Sequence, residues 1–262
     1  MVKKERADRI VLSRGLAESR EKAQALIMAG LVTAGGRKVE KPGELIEAGV
    51  SLAVEKGSPY VSRGGLKLSE ALEAFAVRVS GKVAADLGAS TGGFTDCLLQ
   101  RGARVVYAVD VSTRQLDWRL RRDPRVVPLE KNARYLSPED FPERPDLVTV
   151  DLSFISVLKV LPAVRQFLAE GELLCLLKPQ FEVGKGQVGK RGVVRNPVQH
   201  AEVLGLLLEK ARGLGFGVRG LHGCKVRGQK GNREFFVRWK LTGPFLSSEK
   251  ARELVREVVY GE

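Results

Sequence analysis

The chain has 262 residues, 44 Lys and Arg against 31 Asp and Glu, and a formal net charge of +13. That length accommodates one α/β domain of about 180 residues with a small satellite, and the charge suits a polyanionic partner or an acidic membrane surface while leaving the fold open. Three scattered cysteines, Cys97, Cys175 and Cys224, and two histidines, His200 and His222, argue against a disulfide framework and against a metal site.

The start Met1-Val2-Lys3-Lys4-Glu5-Arg6 leads into a mixed charged stretch and not into the apolar core of a signal peptide. The longest strongly apolar run, 173–177, is far shorter than the ~20 residues a membrane span requires. A soluble, cytoplasmic protein is therefore expected, with no membrane and no metal among its partners and its oligomeric state left open. The charge is uneven: residues 178–240 hold 14 Lys and Arg against 4 Glu, whereas residues 1–60 hold 11 against 8.

Residues 5–16 and 19–29 read as two short helices, with Ser19 as N-cap of the second and Gly30 ending it. Leu31-Val32-Thr33, the Gly35-Gly36 turn and Lys38-Val39 predict a tight hairpin, and further short strands are read near 45–46 and 51–54. The sequence Arg14-Gly15-Leu16-Ala17-Glu18-Ser19-Arg20, followed by Ala23, Leu26-Ile27, Gly30 and Val32, resembles the RNA-binding domain first known from the fourth protein of the small ribosomal subunit. The resemblance implies that Arg6, Arg14, Arg20 and Lys22 face phosphates; a helical hairpin with merely solvated charges is the alternative. Gly57-Ser58-Pro59-Tyr60 interrupts both periodicities. The boundaries expected are a small domain at 1–57, a linker at 58–61 and a large domain at 62–262.

The large domain opens with an apolar-periodic helix around Leu68, Ala71, Leu72 and Phe75, with Lys67 near its start, where the backbone dipole disfavours a cation. The buried run Val83-Ala84-Ala85 then leads into Asp86-Leu87-Gly88-Ala89-Ser90-Thr91-Gly92-Gly93-Phe94-Thr95-Asp96, a strand, a glycine turn and the start of a helix. A dinucleotide fingerprint would need G-x-G-x-x-G, but Ser90 stands where its second glycine makes room for the pyrophosphate. A second strand, Val105 to Val109, ends in Asp110, placed where a nucleoside ribose is gripped through its hydroxyls. Together these point to an adenosine cofactor without a pyrophosphate. S-adenosylmethionine fits, although an ordinary strand-to-helix turn beside a solvated Asp would look similar.

Strand and helix signals then alternate, with strands read at 104–109, 125–129, 146–151 and 172–178 and a helix at 157–168. This implies an α/β domain with a mostly parallel sheet and its ligands at the carboxyl ends of the strands. The candidates for cofactor binding are accordingly Asp86, Gly88, Ser90, Thr91, Gly92, Gly93, Asp110, Asn132 and Asp151. The glycine-rich basic stretch 183–192, with Lys185, Lys190 and Arg191, reads as a mobile substrate loop, and Arg63 adds a cation ahead of the large domain's first helix. A helix over 197–214, a hairpin of 216–226 with 234–241, and a packing helix over 248–259 complete the domain.

Neighbouring parallel strands that end in Asp151 and Lys178 place these two side by side. Glu234 opens the next strand, and Lys67 lies just before the domain's first strand. A set of two lysines and two carboxylates next to a methyl donor can take the proton from a hydroxyl. Free lysine, at about 10.4, leaves little amine at neutral pH; a base useful at pH 7 to 8 needs a downward shift of about 3 pH units, or ~4 kcal/mol.

The stretches Gly88 to Thr95, Asp151-Leu152-Ser153-Phe154-Ile155-Ser156, Lys178 to Gly189 and Gly231-Asn232-Arg233-Glu234-Phe235-Phe236 resemble the TlyA family. These are ribosomal RNA cytidine 2′-O-methyltransferases, often labelled hemolysin A, with an FtsJ-like catalytic domain. The resemblance covers nearly the whole chain. It implies a Rossmann-like S-adenosylmethionine-dependent methyltransferase sheet behind a small α+β RNA-binding domain, a Lys67-Asp151-Lys178-Glu234 tetrad with Lys178 as base, and ribosomal subunits as substrate. Two other classes stay open: a non-catalytic RNA-binding or assembly factor, and the membrane-active hemolysin of the older label.

Overall fold

Residues 4–28, 30–54, 59–168, 170–184, 188–189 and 192–261 are described by a computed structural model. Packing divides the chain into two units, Met1–Pro59 and Tyr60–Glu262. The small unit runs β1 (Lys4–Arg6), α1 (Ala7–Ser13), α2 (Arg20–Met28), β2 (Val32–Ala34), β3 (Arg37–Lys38), β4 (Leu45–Glu47) and β5 (Leu52–Val54). The Ser19 hydroxyl accepts the Lys22 N–H at 3.1 Å at the start of α2, β2 and β3 form the hairpin, and β5 joins the free side of β2. The first helix begins later than its periodicity suggests, because Lys4–Arg6 is extended and pairs antiparallel with β4. Ala7, Ile10, Val11, Ala23, Ile27, Val32 and Ile46 close the core between them.

Asp8 is fully buried in this unit. Its carboxylate accepts two hydrogen bonds from Arg6, at 3.0 and 2.9 Å, one from Arg20 at 3.1 Å and one from Gln24 at 3.0 Å. These donors, Arg6 foremost, hold the Asp8 carboxyl well below the usual carboxylate range against the opposing effect of burial. A buried charge is tolerated only when paired in this way. Arg14 donates to the carbonyls of Ala48 and Val50, both at 2.6 Å. The guanidinium groups of Arg6, Arg14 and Arg20, expected to face phosphates, thus also tie the unit together while keeping exposed surface, and the Lys22 side chain is exposed on α2.

The large unit runs α3 (Arg63–Ala74), β6 (Val83–Leu87), α4 (Gly93–Gln100), β7 (Val105–Asp110), α5 (Trp118–Arg122), β8 (Val126–Glu130), β9 (Leu147–Val150), α6 (Leu161–Phe167), β10 (Glu172–Leu177), α7 (Pro179–Glu182), α8 (Pro197–Gly213), β11 (Gly217–Gly223), β12 (Phe235–Lys240) and α9 (Ser248–Tyr260). Its strands form one sheet in the order β11-β12-β10-β9-β6-β7-β8. Strands β8, β7, β6, β9 and β10 are parallel, and β12 is inserted antiparallel between β10 and β11. The helix read over 157–168 is shorter: a 3-10 turn at Val157–Lys159 precedes α6, since Pro162 lacks an N–H and fits a first helical turn.

Strand side chains alternate between faces, and the two cores follow that period. Val83, Ala85 and Leu87 of β6 join the core beneath α6, α8 and α9, while Ala84 joins the core beneath α3 and α4. From β6 the chain builds outward through β7 and β8, then returns to β9 on the other side. The reversal between β6 and β9 is the switch point, where an open α/β sheet leaves a crevice at its strand ends.

Candidate active site

β6 hands over to the glycine turn at this switch point. Gly88 sits at φ +89, and a Cβ there would come within 2.5 Å of the Asp151 carbonyl oxygen, so the turn crosses the end of β9 only as glycine. Gly92 and Gly93 serve packing: Leu116 and Leu120 fill the space beside the first, and Ser62 and the start of α3 press on the second. At the end of β7 the Asp110 carboxylate accepts the Ser90 N–H at 2.9 Å and the Ser112 N–H at 3.2 Å. Its remaining lone pairs are available to ligand hydroxyls.

A cleft of ≈ 280 Å³ opens beside the turn, lined by Gly88, Ser90, Thr91 and Gly93 together with Arg63, Lys67, Asp151, Lys178 and Glu234. Register explains the convergence. Val150 of β9 lies opposite Cys175 of β10, so Asp151 falls two residues short of Lys178 on the neighbouring strand, within reach of the long lysine side chain. The Lys178 ammonium reaches Asp151 Oδ1 at 2.6 Å and donates to Ser153 Oγ at 3.0 Å. On the other side of β10, Phe235 of β12 pairs with Leu177, so Glu234 stands across from Lys178. Glu234 accepts from Lys67 Nζ at 2.6 Å, with the two side chains only 3% and 11% exposed. The tetrad is therefore two ion pairs, and Lys67 is a buried partner in the second turn of α3.

Several expected cofactor residues are not among those lining this cleft. Asp86 does not line the cleft: strand alternation turns it toward α4, where it is fully buried and accepts from the hydroxyls of Thr95 at 2.8 Å and Thr149 at 3.2 Å. Burial pushes its carboxyl up to about 7, with the nearby Asp151 charge adding to the rise. Asn132 follows the outer strand β8 by two residues, is exposed, and accepts from the Arg134 N–H at 3.0 Å as a local cap. Gly92 is buried behind the turn. Lys185, Lys190 and Arg191 of the basic stretch lie outside the described residues.

The structure also brings in residues to which the sequence motifs assigned no role of their own. Ser153, Gln180 and Phe181 line the cleft. Phe154 is 90% exposed at φ +65, with its ring centroid 5.0 Å from that of Phe181; a non-glycine residue in that region costs of order 1 kcal/mol or more. Gly228 is packed against the Glu234 carboxylate, and Asn232 accepts the Val194 N–H at 3.1 Å and donates to the Gly192 carbonyl at 3.1 Å. The signal for the first group was adjacency, since these residues flank Asp151 and Lys178 in the chain.

The residues present fit S-adenosylmethionine. The cleft is close to the roughly 300 Å³ at which small-molecule sites begin, the first N–H groups of α4 have no acceptor within the helix, and the anchored Asp110 offers its lone pairs where a ribose would lie. Glycine turn, acidic strand end and ionisable cleft on one largely parallel sheet define a Rossmann-like S-adenosylmethionine-dependent methyltransferase.

Residues 60–241 match the FtsJ-like methyltransferase model, residues 5–52 match the S4 domain, and the chain belongs to the FtsJ-like methyltransferase family. It is 46% identical over 241 residues to the 16S/23S rRNA (cytidine-2′-O)-methyltransferase TlyA of Mycobacterium tuberculosis (strain ATCC 25618 / H37Rv), covering 90% of each chain. It is 40% identical over 235 residues to Hemolysin A of Brachyspira hyodysenteriae, covering 88% of this chain and 98% of the relative. A solved structure from Streptococcus thermophilus, provisionally described as a hemolysin, superposes with a TM-score of 0.75 at 42% identity over 98% of this chain and 96% of the other. Among the described residues no helix is long and apolar enough to cross a membrane.

Proposed function

We propose that the protein methylates the 2′-hydroxyl of a cytidine in ribosomal RNA, with Lys178 accepting the hydroxyl proton. The observation that carries the reading is that Lys178–Asp151 and Lys67–Glu234 line the same cleft as the glycine turn. S-adenosylmethionine, when bound, supplies an electrophilic methyl on a positively charged sulfur. Gly88, Ser90, Thr91 and Gly93 would hold it along the turn and Asp110 at its ribose.

The chain's own residues supply orientation and proton handling. Asp151 and Ser153 fix Lys178 Nζ from two directions, leaving its remaining hydrogen-bonding direction to face a substrate oxygen. To accept the 2′-hydroxyl proton the amine must turn its lone pair to the substrate, and Asp151, at 2.6 Å, orients it for that role. The buried Lys67–Glu234 pair fixes the wall opposite. At the mouth, the exposed Phe154 beside Phe181 offers a face on which a nucleobase can stack, a sequence-tolerant contact. Arg63 on the rim suits a phosphate, and the S4 domain suits a second hold on folded RNA. The sugar hydroxyl distinguishes RNA from DNA at such a site.

The test is transfer of labelled methyl to ribosomal subunits, followed by mapping of the 2′-O-methylated nucleotide. Wild type is expected to label a cytidine, and Lys178→Ala to lose about 10²-fold or more, the usual scale of a general base. Equal incorporation by the variant removes Lys178 from the role. Cofactor binding without transfer to any RNA would favour the non-catalytic assembly factor.

A further inference from the structure

Gln180 lines the cleft from the first turn of α7, two residues beyond Lys178 and next to Phe181. Its Oε1 is buried and has no hydrogen-bond partner among the described residues. Nothing else in α7 explains this. Pro179 is buried, and the Glu182 carboxylate is engaged with the Val157 N–H at 2.9 Å. An unpaired buried carbonyl oxygen is costly, and native proteins keep few. Such an atom in a ligand cleft calls for a donor brought in by the ligand.

The place of Gln180 decides which ligand. The glycine turn is the part of the lining suited to the cofactor, whereas Gln180 stands in the chain between Lys178 and Phe181, whose ring packs against the exposed Phe154. An exposed aromatic pair beside Gln180 offers a stacking face for a nucleobase. A cytidine within a polynucleotide has two hydrogen-bond donors, the 2′-hydroxyl and the exocyclic 4-amino group, because its 3′ and 5′ oxygens are esterified. The first is committed to Lys178. The 4-amino group remains for Gln180.

We propose that Gln180 is the residue that selects the target base, its Oε1 accepting a hydrogen bond from the 4-amino group of the cytosine. This rests on the cytidine 2′-O-methylation argued above and adds the element that reads the base. Uridine presents a carbonyl oxygen at that position, so it would face Gln180 with acceptor against acceptor. Sites built to bond a substrate N–H or O–H reject analogues lacking it strongly, because the buried partner is left unpaired.

The experiment uses the full chain, ribosomal RNA transcripts carrying either cytidine or uridine at the mapped position, and the variants Gln180→Leu and Gln180→Glu. Wild type is expected to prefer the cytidine transcript by 10²-fold or more in kcat/KM. Gln180→Leu should lose roughly 10 to 100-fold on cytidine, change little on uridine, bind S-adenosylmethionine as wild type does, and melt no lower than wild type, since it removes an unpaired buried acceptor. Gln180→Glu keeps an acceptor oxygen at the same reach and should retain the preference, which keeps the proposal testable if the leucine variant folds poorly. Three results overturn it: wild type methylating both transcripts alike, Gln180→Leu losing activity on both in proportion, or Gln180→Leu weakening S-adenosylmethionine binding, which would assign the donor to the cofactor. A wild-type chain that transfers no methyl to any RNA refutes instead the function on which the inference rests.

Discussion

Asp86 links the stability of the catalytic unit to pH, and the size of the link can be worked out from its surroundings. The carboxyl is fully buried beneath the glycine turn and is pushed from 3.8 up to about 7. The folded state therefore binds the proton more tightly than the unfolded chain. Its contribution is fully present below pH 3.8 and is lost as pH rises through about 7. At about 1.4 kcal/mol per pH unit the whole gap is worth ~4 kcal/mol, of which ~3 kcal/mol falls between pH 5 and pH 8. Asp86→Asn keeps the size and the hydrogen bonding toward Thr95 and Thr149 but cannot titrate. Urea unfolding followed by tryptophan fluorescence reports the catalytic unit alone, because both tryptophans, Trp118 and Trp239, lie in it. Wild type should lose about 3 kcal/mol relative to Asp86→Asn on going from pH 5 to pH 8. Parallel pH curves for the two proteins would refute the assignment of a neutral, buried Asp86.

Lys67→Met leaves Glu234 buried without its cation and should destabilise the catalytic unit by about 3 to 5 kcal/mol, while Lys67→Met combined with Glu234→Leu should recover most of that stability and no methyl transfer; unfolding curves and incorporation assays on the same samples separate the two effects. Gly228→Ala places a methyl group against the Glu234 carboxylate. It should cost roughly 1 to 3 kcal/mol and lower methyl transfer by more than the melting temperature alone explains. Asp8→Ala removes the acceptor shared by Arg6, Arg20 and Gln24 and should destabilise the small unit by about 3 kcal/mol, seen as faster proteolysis within residues 4–54 with the tryptophan signal unchanged. Because the Asp8 carboxyl is held below its usual range in the folded state, the stability it confers should be present above pH 4 and fall away as pH is lowered further.

The chain's own pattern was enough to read the parallel sheet, the turn between β6 and α4, and the strand ends that carry Asp110, Asp151 and Lys178. The reason is local: apolar period, glycine placement and the rule that ligands meet the carboxyl ends of strands are all properties of short windows. Which way a strand-end side chain points is not such a property. Asp86 is one residue out of phase with the cleft and turns into the core beneath α4, and Asn132 follows the edge strand β8 and is not among the residues lining the cleft. Neither could be placed without knowing the strand order and the face each strand buries.

The kinds of residue in the cleft were thus settled by the linear order of the chain, whereas their partnerships were settled by packing. Lys67 and Glu234 are 167 positions apart and meet only because β12 runs antiparallel beside β10 and α3 lies over that edge of the sheet. The unsatisfied oxygen of Gln180 belongs to the same category. A glutamine two residues from a lysine is unremarkable in a sequence, and its lack of a partner among the described residues becomes visible only in the fold, because hydrogen-bond satisfaction depends on neighbours contributed by distant segments.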